Sequence, residues 1–143
     1  MKRRSMFILL LTLFLLFLAA ASIFVVSVDP KIKKRNDALT LMAPTVEFSK
    51  VTKFYLFNTD KSYYTIMGED KGGNAIYAIT PEEGGDVTIL QQSAVVNEQE
   101  ARSITLQDKP DVEVLEARLG LLNGEPVWEV NYRMSNQRIG YYY

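Results

Sequence analysis

The sequence predicts an α+β protein: an N-terminal transmembrane helix, then two tandem units, each a helix packed on an antiparallel sheet. Three observations predict it. The 23 residues from Met6 to Val28 hold only Thr12, Ser22 and Ser27 as polar residues and carry no charge. Beyond them, aromatic and β-branched segments alternate with turn residues, each series led by a helix-like stretch. The second series repeats the first at a constant offset of 64 residues.

At 1.5 Å rise per residue the apolar run reaches roughly 34 Å, enough to cross a hydrocarbon core of about 30 Å. Lys2, Arg3 and Arg4 before it favour a cytoplasmic N-terminus, and Lys31, Lys33, Lys34 and Arg35 after it weaken that asymmetry. A cleaved leader is the competing reading, since Phe7 to Leu18 is an apolar core of suitable length and Ala19-Ala20-Ala21 offers small residues for cleavage. Cleavage would leave Ile23 to Val28 as an exposed apolar tip, which favours retention. Both readings put the rest of the chain outside the cytoplasm. The expected layout is an anchor at 1–28, a first unit at 29–93 and a second at 94–143.

Asp29-Pro30 reads as a helix start, an N-cap followed by proline at the first helical position, with Ile32, Leu39 and Met42 as its apolar stripe and Pro44 as its end. Strands are expected over Val51 to Phe57, Tyr63 to Gly68, Ala75 to Thr80 and Val87 to Leu90. The breaks between the first three are turn chemistry, Asn58-Thr59-Asp60-Lys61 and Asp70-Lys71-Gly72-Gly73-Asn74. Asn97 with Glu100 three residues on has the form of a capping box, Ala101 and Ile104 supply an apolar face, and Pro110 closes that helix. Strands follow over Val112 to Leu122, Val127 to Arg133 and Ile139 to Tyr143, the first two joined by the hairpin signal Asn123-Gly124. The offset pairs Tyr64 with Trp128, Ile66 with Val130, Tyr77 with Tyr141 and Ile79 with Tyr143. Half-units of this size bury only about 60% of their unfolded surface, so the two are expected to pack together.

Composition narrows the function. The 143 residues include no cysteine and no histidine, which excludes disulfides, thiolate nucleophiles, Cys/His zinc sites and histidine-based catalysis. Setting Lys2, Arg3 and Arg4 aside from the 16 basic residues leaves 13 against 17 acidic ones, a poor surface for nucleic acid. Glu82, Glu83 and Asp86 beside Gly84-Gly85 form an acidic loop without the regular ligand alternation of a calcium site. Asp60, Asp70 and Asn74 read as turn residues. Ser62, Ser93 and Ser103 lack the S-x-x-K spacing of an acylation site. No catalytic, cofactor or metal site is expected, and no small-molecule substrate. Tyr55, Tyr63, Tyr64, Tyr77, Trp128, Tyr132, Tyr141, Tyr142 and Tyr143 all fall in expected strands, where alternation turns about half outward. The outward ones are the natural docking residues for a protein or glycan.

Three stretches carry a family resemblance: Tyr63 to Tyr77, reading YYTIMGEDKGGNAIY; Arg118-Leu119-Gly120 through Gly124 with Pro126 to Val130; and Gly140-Tyr141-Tyr142-Tyr143. In these the chain resembles the TseB/YpmB family of Gram-positive cell wall elongation regulators, which carry a membrane anchor and two PepSY-like, cystatin-type domains. The resemblance implies a non-enzymatic accessory protein, single-pass at the cell membrane with its C-terminal part extracytoplasmic, whose partner is a class B penicillin-binding protein. Members continue past the Gly-Tyr-Tyr-Tyr segment with a further strand, so the resemblance implies a second unit lacking its last strand here. Two other classes stay open: an inhibitory or chaperone-like module acting on a secreted or cell-surface protease, and an extracytoplasmic ligand-binding sensor.

Overall fold

A computed structural model describes residues 2–143 and, within the first helix, the side chains of Met6, of residues 8–20 and of those from Pro30 on. Two units, Met1–Asn36 and Asp37–Tyr143, are each internally packed. Helix α1 runs over Lys2–Met42. In the first unit its described side chains between Ile8 and Leu18 are almost all large, apolar and exposed. Thr12 hides its hydroxyl by donating to the Ile8 carbonyl at 2.8 Å. Among the described residues no helix is long and apolar enough to cross a membrane. The expected span runs through Phe7 and residues 21–28, whose side chains lie outside the described ones.

The helix start expected at Asp29-Pro30 is corrected: α1 passes through Pro30 without a break. A proline in a helix interior removes one backbone hydrogen bond and costs about 3 kcal/mol in isolation. Here helix-forming residues on both sides, an apolar run before and Lys-Lys-Arg-Asn-Asp-Ala after, outweigh that one lost bond. Of the expected apolar stripe, Met42 is wholly buried and Leu39 packs against the core, while Ile32 is exposed and Ala38 is buried in addition. The helix ends at Met42, two residues before Pro44, as the proline dictates.

In the second unit a four-stranded antiparallel sheet has the order β1 (Phe48–Asn58), β2 (Ser62–Asp70), β3 (Ala75–Pro81), β4 (Thr88–Gln91). A 3-10 turn at Gln92–Ala94 leads to helix α2 (Glu98–Asp108). A three-stranded sheet follows in the order β5 (Glu113–Leu122), β6 (Glu125–Arg133), β7 (Ile139–Tyr142). Asn123 and Gly124 both adopt positive φ, 53° and 85°, which matches the twist of a tight hairpin and which this residue pair tolerates best.

The repeat is visible in the registers. Adding 64 to the β2–β3 pairs Ile66–Ala78, Met67–Tyr77, Gly68–Ile76 and Glu69–Ala75 reproduces the β6–β7 pairs Val130–Tyr142, Asn131–Tyr141, Tyr132–Gly140 and Arg133–Ile139. Alternation then sorts the faces of the first sheet. Tyr64, Ile66, Ile76 and Ala78 pack on Ala38 and Met42, while Tyr55, Tyr77 and Ile79 on the other face join Ala101 of α2 with Ala117, Leu119, Trp128 and Val130 of the second sheet. Tyr64, Thr65 and Ile66 are therefore buried in succession, as a central strand covered on both faces must be. The two sheets meet at β5. Thr65 donates its hydroxyl to the Leu119 carbonyl, and Gly120 admits the Phe57 ring into space that a Cβ would fill.

Candidate partner-binding site

Helix α2 is placed by its first turn. The Asn97 side chain accepts from the Glu100 N–H at 3.0 Å, and the Glu100 carboxylate accepts from the Asn97 N–H at 2.8 Å, a complete capping box. With the start fixed, Ala101 and Thr105 turn inward and Ile104 stays 44% exposed on the flank. Thr105 satisfies its buried hydroxyl on the Ala101 carbonyl.

Trp128 on β6 ties this helix region to both sheets. Its ring meets Tyr55 and Tyr77 edge-on, at centroid distances of 5.4 and 6.0 Å, and its indole N–H donates to the Val96 carbonyl at 2.7 Å. A cavity of about 430 Å³ lies beside it, between α2, the linker through Val95 and Val96, and the second sheet. Ala101, Ile104, Leu119, Val130 and Tyr142 line it, so its walls are mainly apolar. Such a space has room for apolar groups. It supplies no acid, base or nucleophile.

A polar cleft on the other side of α2 is a clamp. Glu98 accepts from Tyr55 Oη at 2.8 Å, from Arg102 Nε and Nη2 at 3.1 and 3.0 Å, and from Lys53 Nζ. Burial pushes its carboxyl up, but the bonds from Lys53, Tyr55 and Arg102 outweigh burial and hold it below the ordinary value. Burial, then the bond to Glu98, raises the Tyr55 hydroxyl well beyond its ordinary range. A carboxylate kept ionised with its oxygens occupied is a poor general base. Its work is to fasten β1 to α2.

The acidic residues singled out in the sequence are dispersed. Glu82 accepts from Tyr64 Oη at 2.7 Å, while Glu83 and Asp86 face solvent. Asp70 holds Asn74 through two bonds of 2.9 Å, backbone and side chain, as turn residues do. Among the described residues no three Asp, Glu, His or Cys side chains converge on a metal position. Of the nine strand aromatics, Tyr55, Tyr64, Tyr77, Trp128 and Tyr132 are buried, Tyr63 and Tyr142 are partly buried, and Tyr141 and Tyr143 are exposed by 53% and 54%.

Sequence reasoning missed two features. Glu129 is 2% exposed although it stands on the face of β6 opposite Trp128, because Arg118 pairs with it at 2.9 Å and Tyr143 donates to it at 2.9 Å. The alternation Glu129, Asn131 beside Arg118 was the available signal. The cavity had none, since its walls come from five separate segments.

Residues 38–81 match the family model of the cell wall elongation regulator TseB-like domain. No curated protein matches the chain. Among solved structures it is similar to the YpmB protein from Bacillus subtilis, with 22% identity and a TM-score of 0.59 over 69% of this chain and 78% of that one. The domain match covers 44 of the 143 residues, and the structural likeness shows a shared fold.

Proposed function

We propose that this is a TseB/YpmB-like protein that regulates cell wall elongation by binding and not by catalysis. The TseB-like domain over residues 38–81 carries this reading. The partner is a class B penicillin-binding protein, a membrane-bound transpeptidase. The apolar cavity beside Trp128 and the exposed Tyr141 and Tyr143 support binding as the mode of action. The shared β2–β3 and β6–β7 registers support two tandem units, 29–93 and 94–143, behind an anchor at 1–28.

Anchoring gives the binding its strength. The residues from Met6 to Val28 hold the chain in the membrane with its C-terminal part extracytoplasmic, where a second membrane protein is met at high effective concentration and a weak interface suffices. The test is complementation in cells lacking the gene. Deletion disturbs cell length while hydrolase activity in cell extracts stays intact; the anchored chain restores length, and a secreted chain beginning at residue 29 does so poorly. Full rescue by the secreted chain, or peptidoglycan cleavage by the purified chain, contradicts the reading.

A further inference from the structure

The polar cleft between α2 and the first sheet holds more than the Glu98 clamp. It encloses about 650 Å³ and draws its walls from β1, β2, β3, the 3-10 turn and the first turn of α2. Strand register sets Lys53, Met67 and Tyr77 side by side across it. Tyr77 is 1% exposed and its ring stands edge-on to Trp128, yet its hydroxyl has no hydrogen-bond partner among the described residues. A hydroxyl buried without a partner is costly, and nearly all such groups are satisfied by protein, water or a ligand. Burial, then the charges of Glu98 and Glu100, hold this hydroxyl above its ordinary range, so it stays a neutral donor near the start of α2.

The groups around it are of the same kind. Asn97 spends its side-chain oxygen on the helix cap and keeps both amide hydrogens. Gln92 spends its amide nitrogen on the Gly68 and Ile76 carbonyls and keeps its oxygen. The N–H groups of Glu98 and Gln99, in the first turn of α2, have no intrahelical acceptor. The nearby charges balance, Lys53 and Arg102 against Glu98 and Glu100, and both Glu98 oxygens are occupied. Such a cleft selects neither an anion nor a cation. Uncharged donors and acceptors fixed at close quarters, beside the thioether of Met67, suit a neutral molecule with several hydroxyls. We propose that this cleft is a binding site for a neutral sugar, with the Tyr77 hydroxyl and the Asn97 amide donating to its hydroxyl oxygens. The site goes beyond the transpeptidase contact proposed above and does not depend on it.

The test uses the full chain in micelles of a sugar-free detergent, with N-acetylglucosamine and its linear tetramer as probes. Isothermal calorimetry measures affinity, and Trp128 fluorescence reports occupancy through its contact with Tyr77. Saturable binding in the millimolar range or tighter is expected. Tyr77→Phe keeps the ring and removes only the unbonded hydroxyl, so it is expected to leave the melting temperature unlowered and to weaken binding about tenfold. Asn97→Asp keeps a capping oxygen and loses the amide hydrogens, with a similar loss expected; it decides the matter if Tyr77→Phe does not fold. Equal affinity for the single sugar and the tetramer identifies a free sugar as ligand, and higher affinity for the tetramer a glycan chain; both uphold the site. No saturation by either probe in the millimolar range, or affinity unchanged in a folded variant, overturns the proposal. Inorganic phosphate displacing the sugar at lower concentration also overturns it, because the cleft then selects charge. A chain that binds neither probe but still crosslinks to a transpeptidase in cells loses only this site.

Discussion

The hydroxyl of Thr65 donates to the carbonyl of Leu119 at 2.6 Å, across the junction of the two sheets. Leu119 lies on the edge strand β5, so one side of its backbone has no strand neighbour, and Thr65 is wholly buried. A side chain of one sheet thus completes the hydrogen bonding of the other, and the apolar contacts around Tyr55, Tyr77 and Trp128 form a single core.

Thr65→Val keeps the shape and removes the donor, leaving a buried carbonyl without its partner. The expected loss is about 1 to 3 kcal/mol, with Thr65→Ser recovering part of it. Urea unfolding followed by circular dichroism measures both.

Trp128→Ala is expected to cost about 3 to 5 kcal/mol, since the indole is nine-tenths buried and touches both sheets. Trp128→Phe costs less and isolates the bond to Val96. A negligible change in melting temperature for the alanine variant would show Trp128 to be a surface residue.

Arg118→Met leaves the Glu129 carboxylate buried against Tyr143 alone. Removing one partner of a buried pair costs about 3 to 5 kcal/mol, whereas replacing both by apolar residues costs far less. The double variant Arg118→Met with Glu129→Leu should therefore unfold at higher urea than Arg118→Met.

Stability should fall at both pH extremes for opposite reasons. Glu98 is held below its ordinary value, so its contribution is present above about pH 4.5 and disappears as pH falls through the lower folded value. Burial, then the bond to Glu82, pushes Tyr64 up to about 12, so its contribution is present below about pH 10 and is lost as pH rises toward 12. Glu98→Gln should flatten the acid arm of a stability profile and Tyr64→Phe the alkaline arm.

Much of this fold was legible because period-two alternation and turn chemistry act locally. The capping box at Asn97, the Asn123-Gly124 hairpin and the offset of 64 all survive in the three-dimensional arrangement. What was not legible depended on distant partners. Pro30 looked like a start because its local penalty is easy to see and the cooperative gain of a continuous helix is not. β1 begins three residues before Val51 because its bulges let Phe48 to Lys50 pair with the end of β2. The cavity arises only when α2, the linker and the three strands of the second sheet are brought together.

The central claim is that this chain works by holding a transpeptidase, and in-cell crosslinking tests it most directly. A photoreactive residue at Tyr141 or Tyr143, both exposed, is activated in intact cells producing the full chain, and the crosslinked protein is identified by mass spectrometry. Recovery of a class B penicillin-binding protein, lost when the photoreactive residue is moved to exposed Asp86, is the predicted result. Recovery of a protease in its place, or no crosslink to any transpeptidase from either position, would contradict the account.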